Sequence, residues 1–468
     1  MPKKITISPV TRINGFWRLD VHVDNGKVVD AYSNGIYTRG LEKILEQRAP
    51  KDAVYLSQRI CGICSSAHAV TGSLAVEQAY NLKVPRNGVL IRNMIYGADL
   101  LQNHIRHFYF LTIPDFAEGP DEPPFTPRYK AEYKFSKGET DRLYQNYMES
   151  IDLSRKCHEM LTIYGGKAPH NHGILPGGST VPPTADNIRL FLSRLQQVTK
   201  FINEKMVPDM ELLARRYPEY YQIGQGPEVM ISYGMFQRED KEKEFYFKPG
   251  VVINGEVHKL NHKLISEKVK YSWYKDEDAA EDIMKADTHL EPEKEGAYSW
   301  IKAPRYQGKS VQTGPLSRLW ITGDYRNGIS TMDRLYARVL EAKKVALLME
   351  EWAHKLEPGK PIYNKHKPLR NGTGIGLFEA MRGALGHWVE IENYRVKKYQ
   401  VITPSAWNMS PRDDDEQLGA VEQSLLGTPV ADTENPIEIG RVARSFDPCS
   451  SCGAQLITPE GSIKEFII

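Results

Sequence analysis

The fold of this chain is decided by two short stretches, Arg59-Ile60-Cys61-Gly62-Ile63-Cys64 and Asp447-Pro448-Cys449-Ser450-Ser451-Cys452. They lie at opposite ends of the chain, and His68 follows the first of them by four residues. Cys157 is the one cysteine outside the two pairs. Four thiolates in two Cys-x-x-Cys pairs can converge on one soft metal centre. We therefore expect both ends of the chain to meet at a deeply buried metal site.

A closed zinc site is the simplest alternative, because four-cysteine structural zinc sites are common. Zinc motifs normally keep their two halves within roughly a few tens of residues, whereas these halves lie at opposite ends of the chain. The flanking Arg59, His68 and Asp447 are also unnecessary in a closed structural site. A redox dithiol explains only one cysteine pair at a time. The spacing and the flanks therefore weigh against the zinc site, and the presence of two pairs weighs against the dithiol.

The overall composition excludes several classes of function. The 468 residues carry 61 basic and 59 acidic side chains, a net charge of +2, so no electrostatic case arises for nucleic acid or a membrane surface. Five cysteines are too few for a disulfide scaffold. We find neither an apolar signal core at the N-terminus nor an apolar run long enough to span a bilayer. A membrane location would therefore depend on a partner.

Hydrophobic periodicity divides the chain into β-rich and helical parts. Alternation in Leu19-Asp20-Val21-His22-Val23 and the turn signal Asp24-Asn25-Gly26-Lys27 predict strands and a hairpin within residues 5–37. Charge, tyrosine and turn residues indicate a mixed, partly β insertion over 218–310. From Gly372 onward the sequence predicts a loop-rich end. Helical spacing of apolar residues predicts helices at residues 66–82, 87–112, 140–163, 184–216 and 331–356.

These patterns together predict an α+β fold. We expect a large helix-bundle core, with the two cysteine pairs at its centre, a β-rich N-terminal part and a mixed α/β insertion. The whole chain, 1–468, would form one domain whose last part combines helical core with the C-terminal metal-binding segment. Its approximate parts are residues 1–60, 61–217, 218–330 and 331–468.

Both cysteine motifs resemble the signature of the nickel–iron hydrogenase large subunit, in the right order and at the right ends of the chain. The loop at 166–173 is similar to that of uptake-type members of the family. The resemblance spans essentially the whole chain, is weakest at about 218–310, and implies a hydrogenase large-subunit-like fold. Other segments that resemble the family lie at residues 8–13, 39–42, 382–388 and 404–408.

The resemblance implies a binuclear centre that cleaves H2 heterolytically, and reversibly, to protons and electrons. Cys61 and Cys449 would be terminal thiolates on nickel. Cys64 and Cys452 would bridge nickel to an iron that carries carbon monoxide and cyanide. His68 would donate a hydrogen bond to a bridging sulfur. Cys449 and His68 are therefore expected to act in catalysis as well.

Further site residues follow from the same resemblance. Arg382 would sit over the open metal positions, and Asp447 would orient its guanidinium by charge-assisted hydrogen bonds. Pro404 and Ser405 would bind the cofactor, with the Ser405 hydroxyl hydrogen-bonded to a cyanide. The first proton would go to Cys449 or to Arg382. Because a guanidinium has a very high pKa, Arg382 steers and polarises more readily than it acts as a free base.

Four positions depart from the pattern of that family. Asn14 stands where a glutamate usually relays protons, and an amide has no titratable proton. Asn103 stands where an aspartate usually pairs with the arginine, and Met381 replaces a proline. Gln455 stands where a histidine or arginine normally ends the mature chain, so the residues after it are either a propeptide or a retained tail. Glu42 would ligate magnesium, and Gln455 would offer its carbonyl oxygen to that hard cation.

The electrons must leave the centre, yet the chain has no spare cysteines for an iron–sulfur cluster. An iron–sulfur small subunit with a large, obligate interface is therefore implied, and a membrane cytochrome or quinone-linked subunit would attach through it. The complex would be membrane-associated, in the periplasm or on the outer face, through the export signal of that partner. A cytoplasmic location is the alternative.

Two other functions stay open at this point. One is a hydrogenase-derived electron-transfer or structural subunit without H2 activity, although such relatives lack the cysteine ligands. The other is a zinc-stabilised structural protein, which metal identity separates immediately. His104 and His107 lie three residues apart on a predicted helix and would permit metal binding, but helix packing explains them equally well. Cys157 reads as a small buried hydrophobic residue.

Overall fold

The structure, a computed structural model, describes residues 2–126, 132–241 and 243–450. Cys452 and Gln455 lie outside the described residues. The residues after Gln455, predicted to be either a propeptide or a retained tail, lie outside them as well. The described cysteines are Cys61, Cys64, Cys157 and Cys449.

The strands are β1 Lys3–Ile7, β2 Trp17–Asp24, β3 Lys27–Gly35, β4 Ile174–Leu175, β5 Gly178–Ser179, β6 Met230–Ser232, β7 Met235–Gln237, β8 Phe245–Phe247, β9 Gly250–Ile253, β10 Glu256–His258, β11 Ile265–Lys268, β12 Ala303–Tyr306, β13 Gln312–Thr313, β14 Gly372–Ala380, β15 Gly383–Glu392 and β16 Arg395–Ile402. The helices are α1 Leu41–Leu45, α2 Pro50–Ser57, α3 Ser65–Tyr80, α4 Arg86–Arg106, α5 Ile113–Phe116, α6 Lys137–Gly165, α7 Ala185–Phe201, α8 Val207–Arg216, α9 Pro315–Thr322, α10 Thr331–His354, α11 Pro404–Asn408, α12 Ala420–Leu425 and α13 Ile437–Ser445. None of the described helices is both long and apolar enough to cross a membrane.

The helical core is built around α4, which is buried over nearly its whole length. It packs against α6 and α10, and α10 also packs against α7 and α9. Asn103 and His104 are among the polar side chains of α4 that are buried. Buried polar groups need hydrogen-bond partners inside the protein. The helices predicted from apolar spacing are confirmed, and so is the α+β class.

Three antiparallel strands, β1, β2 and β3, form the N-terminal sheet. Asn25 and Gly26 connect β2 to β3 with positive φ angles of 49° and 72°. A tight hairpin turn requires these angles, and Asn and Gly adopt them most readily, so the predicted hairpin is confirmed. The insertion contains a four-stranded sheet in the order β10-β9-β6-β13, in which β13 runs parallel to β6.

The prediction of a loop-rich end from Gly372 is wrong for the residues up to 402. There β14, β15 and β16 form an antiparallel sheet. The glycines of Gly372-Thr373-Gly374-Ile375-Gly376 are typical of a loop, yet here they allow close packing. A Cβ on Gly374 or Gly376 would lie 1.9 or 2.0 Å from a carbonyl oxygen of α3. The strand therefore rests directly on the backbone of that helix.

The N-terminal part of the chain joins the C-terminal part beside the second cysteine motif. The Asn14 amide donates to the Pro448 carbonyl at 3.2 Å, and the Ser450 amide donates to the Asn14 carbonyl at 2.8 Å. Asn14 and Cys449 thus pair as in a parallel β-bridge. These bonds fix the position of Cys449 relative to the N-terminal segment.

Candidate metal centre

Two cysteines from opposite ends of the chain meet in the buried core. Cys61 ends the helical turn Gln58–Ile60, and Cys449 follows α13. Their Sγ atoms are 3.4 Å apart and form no disulfide. Two thiolates that each lie about 2.3 Å from one ion can stand this far apart. The structure therefore brings together one cysteine of each motif in a geometry that a single metal ion fits.

Cys64 immediately precedes α3 and is buried. It lies close enough to Arg382 for its charge to act on that guanidinium. Within the described ranges, no group of three or more Cys, His, Asp and Glu side chains is arranged to hold a metal ion by itself. A four-cysteine site in this protein therefore depends on Cys452, which those ranges do not include.

Arg382 lies in the tight turn between β14 and β15. Its Nη2 lies 3.0 Å from Asp447 Oδ1, and its Nε donates to the Asp447 carbonyl at 2.9 Å. Burial opposes its charged form, but Asp447 and the described cysteines of the two motifs raise the pKa of Arg382 well above its usual value. The guanidinium is therefore a fixed cation, and its Nη1 is buried with no hydrogen-bond partner among the described residues.

Asn103 joins Arg382 to Asp447 through both ends of its amide. Its Oδ1 accepts from Arg382 Nη2 at 2.8 Å, and its Nδ2 donates to Asp447 Oδ2 at 2.8 Å. An ionised aspartate could not donate the second bond. Burial would raise the pKa of Asp447, but the charges of Arg382 and Arg338 lower it. The carboxylate therefore stays ionised and orients the guanidinium.

Sequence reasoning missed several buried charges in the helical core. Arg334, Arg338 and Glu341 repeat at helical spacing inside the predicted helix 331–356, and all three are buried. Charged residues on a helical stripe that should be apolar are the signal that could have found them. Arg318, which is also fully buried, carries no comparable signal in the sequence.

His68 on α3 ends a buried chain of three hydrogen-bonding side chains. Its Nδ1 lies 3.0 Å from His387 Nε2, and His387 Nδ1 lies 2.7 Å from the Tyr399 hydroxyl. Burial lowers the pKa of His68 to about 3 and that of His387 well below its usual value, so both rings are neutral near pH 7. When the phenol donates to His387 Nδ1, each ring donates through Nε2. His68 then offers an N–H that has no partner among the described residues.

Pro404 and Ser405 are buried at the start of α11. The Thr403 hydroxyl caps this helix by accepting from the Ala406 amide at 3.2 Å, which fixes the position of its first turn. Ser405 lines a cavity that Glu42 also lines. The structure thus groups Ser405 with Glu42, and it describes no hydrogen bond of Ser405 to the cysteines.

Two carboxylates face this cavity, Glu42 and Glu267. Burial raises the pKa of both, although Lys302 opposes the rise. Lys302 Nζ lies 3.6 Å from Glu267 Oε2. Carboxylate oxygens are suitable ligands for a hard cation, and Lys302 already supplies one positive charge there. Ile60, which precedes Cys61, lines the cavity as well, so the cavity adjoins the cysteine pair.

Comparisons with known proteins agree over nearly the whole chain. A family profile described as nickel-dependent hydrogenase matches residues 39–120 and 112–455. The periplasmic [NiFeSe] hydrogenase large subunit of Desulfomicrobium baculatum is 36% identical, over 98% of this chain and 96% of that protein. The uptake hydrogenase large subunit of Rhizobium leguminosarum bv. viciae is 30% identical, over 98% and 96%. The reduced Ni-Fe-Se hydrogenase structure from D. vulgaris Hildenborough has a TM-score of 0.94 and 37% identity, covering 97% of this chain and 100% of that chain.

The fold and these matches together define a hydrogenase, an oxidoreductase that acts on H2. This chain belongs to the nickel-dependent hydrogenase large-subunit family. The predicted family, fold class and enzyme class are therefore confirmed.

Proposed function

We propose that this chain binds a nickel–iron centre and oxidises H2 as the catalytic subunit of a heterodimer. Cys61 and Cys449 would hold nickel, and Cys64 and Cys452 would hold both nickel and iron. The observation that carries the proposal is the 3.4 Å approach of the Cys61 and Cys449 sulfurs, within reach of the Arg382 charge. The donor set fits the group, because soft thiolates suit nickel and iron.

When bound, a nickel–iron centre with carbon monoxide and cyanide would supply the redox chemistry for the oxidation of H2. Arg382 orients and polarises H2 through Nη1, which has no partner among the described residues. Cys449 would take up the first proton, because the raised pKa of Arg382 makes that arginine a poor base. His68 would offer its Nε2 hydrogen to a thiolate that holds the centre, and Ser405, at the start of the helix that Pro404 opens, would offer its hydroxyl to the cyanide.

Tyr399→Phe tests the hydrogen-bond chain behind His68. The variant removes the hydroxyl that donates to His387 Nδ1 and so keeps the His387 proton on Nε2. Without that proton to accept, His68 Nδ1 no longer favours the tautomer in which Nε2 carries the hydrogen. Changes to the groups that surround a metal site commonly cost about 10- to 100-fold, and we expect turnover to fall about tenfold with nickel and iron retained. Tyr233→Phe is the control, since the Tyr233 hydroxyl is buried without a partner among the described residues. Equal turnover in the two variants would contradict this role.

Asn14→Glu tests the departure beside the terminal thiolate. The backbone of Asn14 pairs with that of Cys449, and the Asn14 Nδ2 is buried with no partner among the described residues. A carboxylate there can take a proton that an amide cannot. We expect H2/D2O exchange to accelerate about threefold or more, which is modest for an added acid–base group. Asn14→Gln, the matched amide, should change nothing, and an unchanged rate in Asn14→Glu would mean that protons leave elsewhere.

The proposal requires a partner that carries electrons away. An iron–sulfur small subunit fills this role, because the chain holds one cysteine outside the two motifs and a cluster needs several. One relative is a quinone-reactive hydrogenase of Wolinella succinogenes, and another is periplasmic. These names support a membrane-associated complex on the outer face, reached through the export signal of the partner, with a membrane cytochrome or quinone-linked subunit attached.

A magnesium ion at Glu42 is a further part of the proposal. The support for it is the cavity that Glu42 shares with Glu267, where burial raises the pKa of both carboxyl groups. A cation would offset that cost of burial. Gln455 would contribute its carbonyl oxygen.

The direct test of the function is H2-dependent dye reduction by the chain co-purified with its small subunit. We expect reduction that requires H2, and exchange of H2 with D2O that requires no dye. A metal-loaded heterodimer that catalyses neither reaction would leave the electron-transfer or structural alternative in place.

A further inference from the structure

Arg318 on α9 uses all five of its N–H donors in the protein core. Its Nε and Nη2 bind the two carboxylate oxygens of Glu341 at 2.6 and 2.7 Å, and Nη1 donates to Glu379 Oε2 at 2.6 Å. The remaining donors reach the carbonyls of Ala380 and Met381 at 3.1 and 3.0 Å. Arg318 therefore holds the two peptide groups that immediately precede the active-site arginine.

His104 on α4 joins Glu341 to Arg338. Its Nε2 lies 2.8 Å from Glu341 Oε2, and its Nδ1 lies 3.2 Å from Arg338 Nη1. Because a carboxylate only accepts and a guanidinium only donates, the ring is neutral and carries its proton on Nε2. Burial agrees with this assignment, since it lowers the pKa of His104 to about 4 against the effect of Glu341. The same Nη1 of Arg338 lies 3.1 Å from Asp447 Oδ2.

These contacts close on themselves and form what we call the polar circuit. From the active-site arginine it runs through the following groups and back: Asp447, Arg338, His104, Glu341, Arg318 and the Met381 carbonyl. All of its side chains are buried. Arg318 has every donor satisfied, and buried hydrogen bonds of this kind rigidify the groups that they connect.

We propose that Arg318 and His104 are positioning residues that hold Arg382 and Asp447 in the geometry for H2 cleavage. Arg318 fixes the backbone of the turn, and His104 fixes Arg338 against Asp447. The inference rests on the proposed role of Arg382. Neither positioning residue forms a hydrogen bond or ion pair with a described cysteine of the two motifs.

The need for such a device follows from Met381. A proline at this position would fix φ by its ring, whereas methionine leaves φ free. The bonds from Arg318 to the carbonyls of Ala380 and Met381 restrain the same peptide groups from outside. A displacement of about 1 Å in a positioned group can cost about 100-fold in rate, so this restraint has a direct catalytic effect.

Two variants in the heterodimer test the circuit. Arg318→Lys keeps the charge but loses the planar fork that reaches both carbonyls. In His104→Gln, the glutamine can keep a hydrogen bond to Glu341 or to Arg338, but it cannot join the two as the imidazole ring does. We expect kcat for H2 oxidation to fall about tenfold in Arg318→Lys and about fivefold in His104→Gln. The KM for H2 and the nickel and iron contents should not change, because substrate access and the ligands are untouched.

Arg305→Lys is the matched control. Arg305 is as fully buried as Arg318, pairs with Asp413 and donates to the Pro304 and Pro411 carbonyls, outside the circuit. We expect it to lower Tm as Arg318→Lys does but to keep kcat. Amide hydrogen exchange of the turn 380–383 should accelerate in Arg318→Lys and stay unchanged in Arg305→Lys.

Met381→Pro added to Arg318→Lys gives a rescue test. The ring restrains the backbone that Arg318 no longer holds, so we expect kcat to recover about threefold or more. If kcat does not recover in the double variant, the claim that Arg318 acts by holding the turn is overturned.

Wild-type kcat in Arg318→Lys and His104→Gln would overturn the inference, as would an equal loss in Arg305→Lys. Should Arg318→Lys fail to fold, His104→Gln alone decides. An inactive wild-type complex would remove the proposed function itself, whereas an active wild type with active variants would remove this inference alone.

Discussion

Replacing Cys449 by serine is expected to remove nickel from the protein and to abolish H2 oxidation. A serine hydroxyl stays protonated near pH 7 and is a hard, weak ligand for a soft metal centre. The loss of nickel and of activity should exceed the effect of removing one ordinary side-chain contact, because metal binding is coupled to the order of the surrounding protein. Elemental analysis of the purified heterodimer should find nickel at less than about a tenth of the wild-type content.

Cys157→Ser is the control for this change. Cys157 is fully buried on α6, so the same atom is exchanged in an equally buried place. A serine on a helix can donate to a carbonyl one turn back, and we expect nickel content and turnover to stay near the wild-type values. Nickel retained in Cys449→Ser, or lost equally in Cys157→Ser, would contradict the assignment of Cys449.

Arg382→Lys is expected to lower kcat by about 100-fold or more while nickel and iron stay bound. A lysine retains the charge but cannot bond the Asp447 carbonyl, its carboxylate and Asn103 together. Removing one preorganised donor from an active site costs about 100- to 1,000-fold in other enzymes. The measurement is kcat per bound nickel, with KM for H2 determined on the same samples.

Arg305→Lys again supplies the comparison, because it makes the same substitution at a buried arginine that bonds none of the groups around Arg382. A loss of metal in Arg382→Lys would show that the arginine serves assembly of the centre. A kcat within about threefold of the wild type would show that the guanidinium does not act on H2.

The parts of the fold that were predictable are those whose signal is local. Apolar spacing marks α3, α4 and α10 because their apolar residues recur at helical intervals, and Asn25-Gly26 marks a hairpin because few residues accept its φ angles. The prediction of a loop from Gly372 is wrong because the glycines there allow close contact with α3, which lies far away in the sequence. A propensity for loops and a need for close packing look alike in a sequence.

The site shows the same division. The two cysteine motifs are short and specific, so their convergence could be expected from the sequence. The side chains that hold Arg382 come from α4, α9 and α10, and no motif connects them. Their partners are set by the packing of helices, which brings His104, Arg318 and Glu341 into contact. Only the charged stripe of α10 offered a hint.

The central claim is that this chain carries a nickel–iron centre on its cysteines. The most direct test is one purified sample of the heterodimer, analysed for metals and by infrared absorption. We predict nickel and iron in equal amounts at this chain, with stretching bands of carbon monoxide and cyanide. Zinc in their place, or no metal and no such bands, would contradict the claim and favour a structural role.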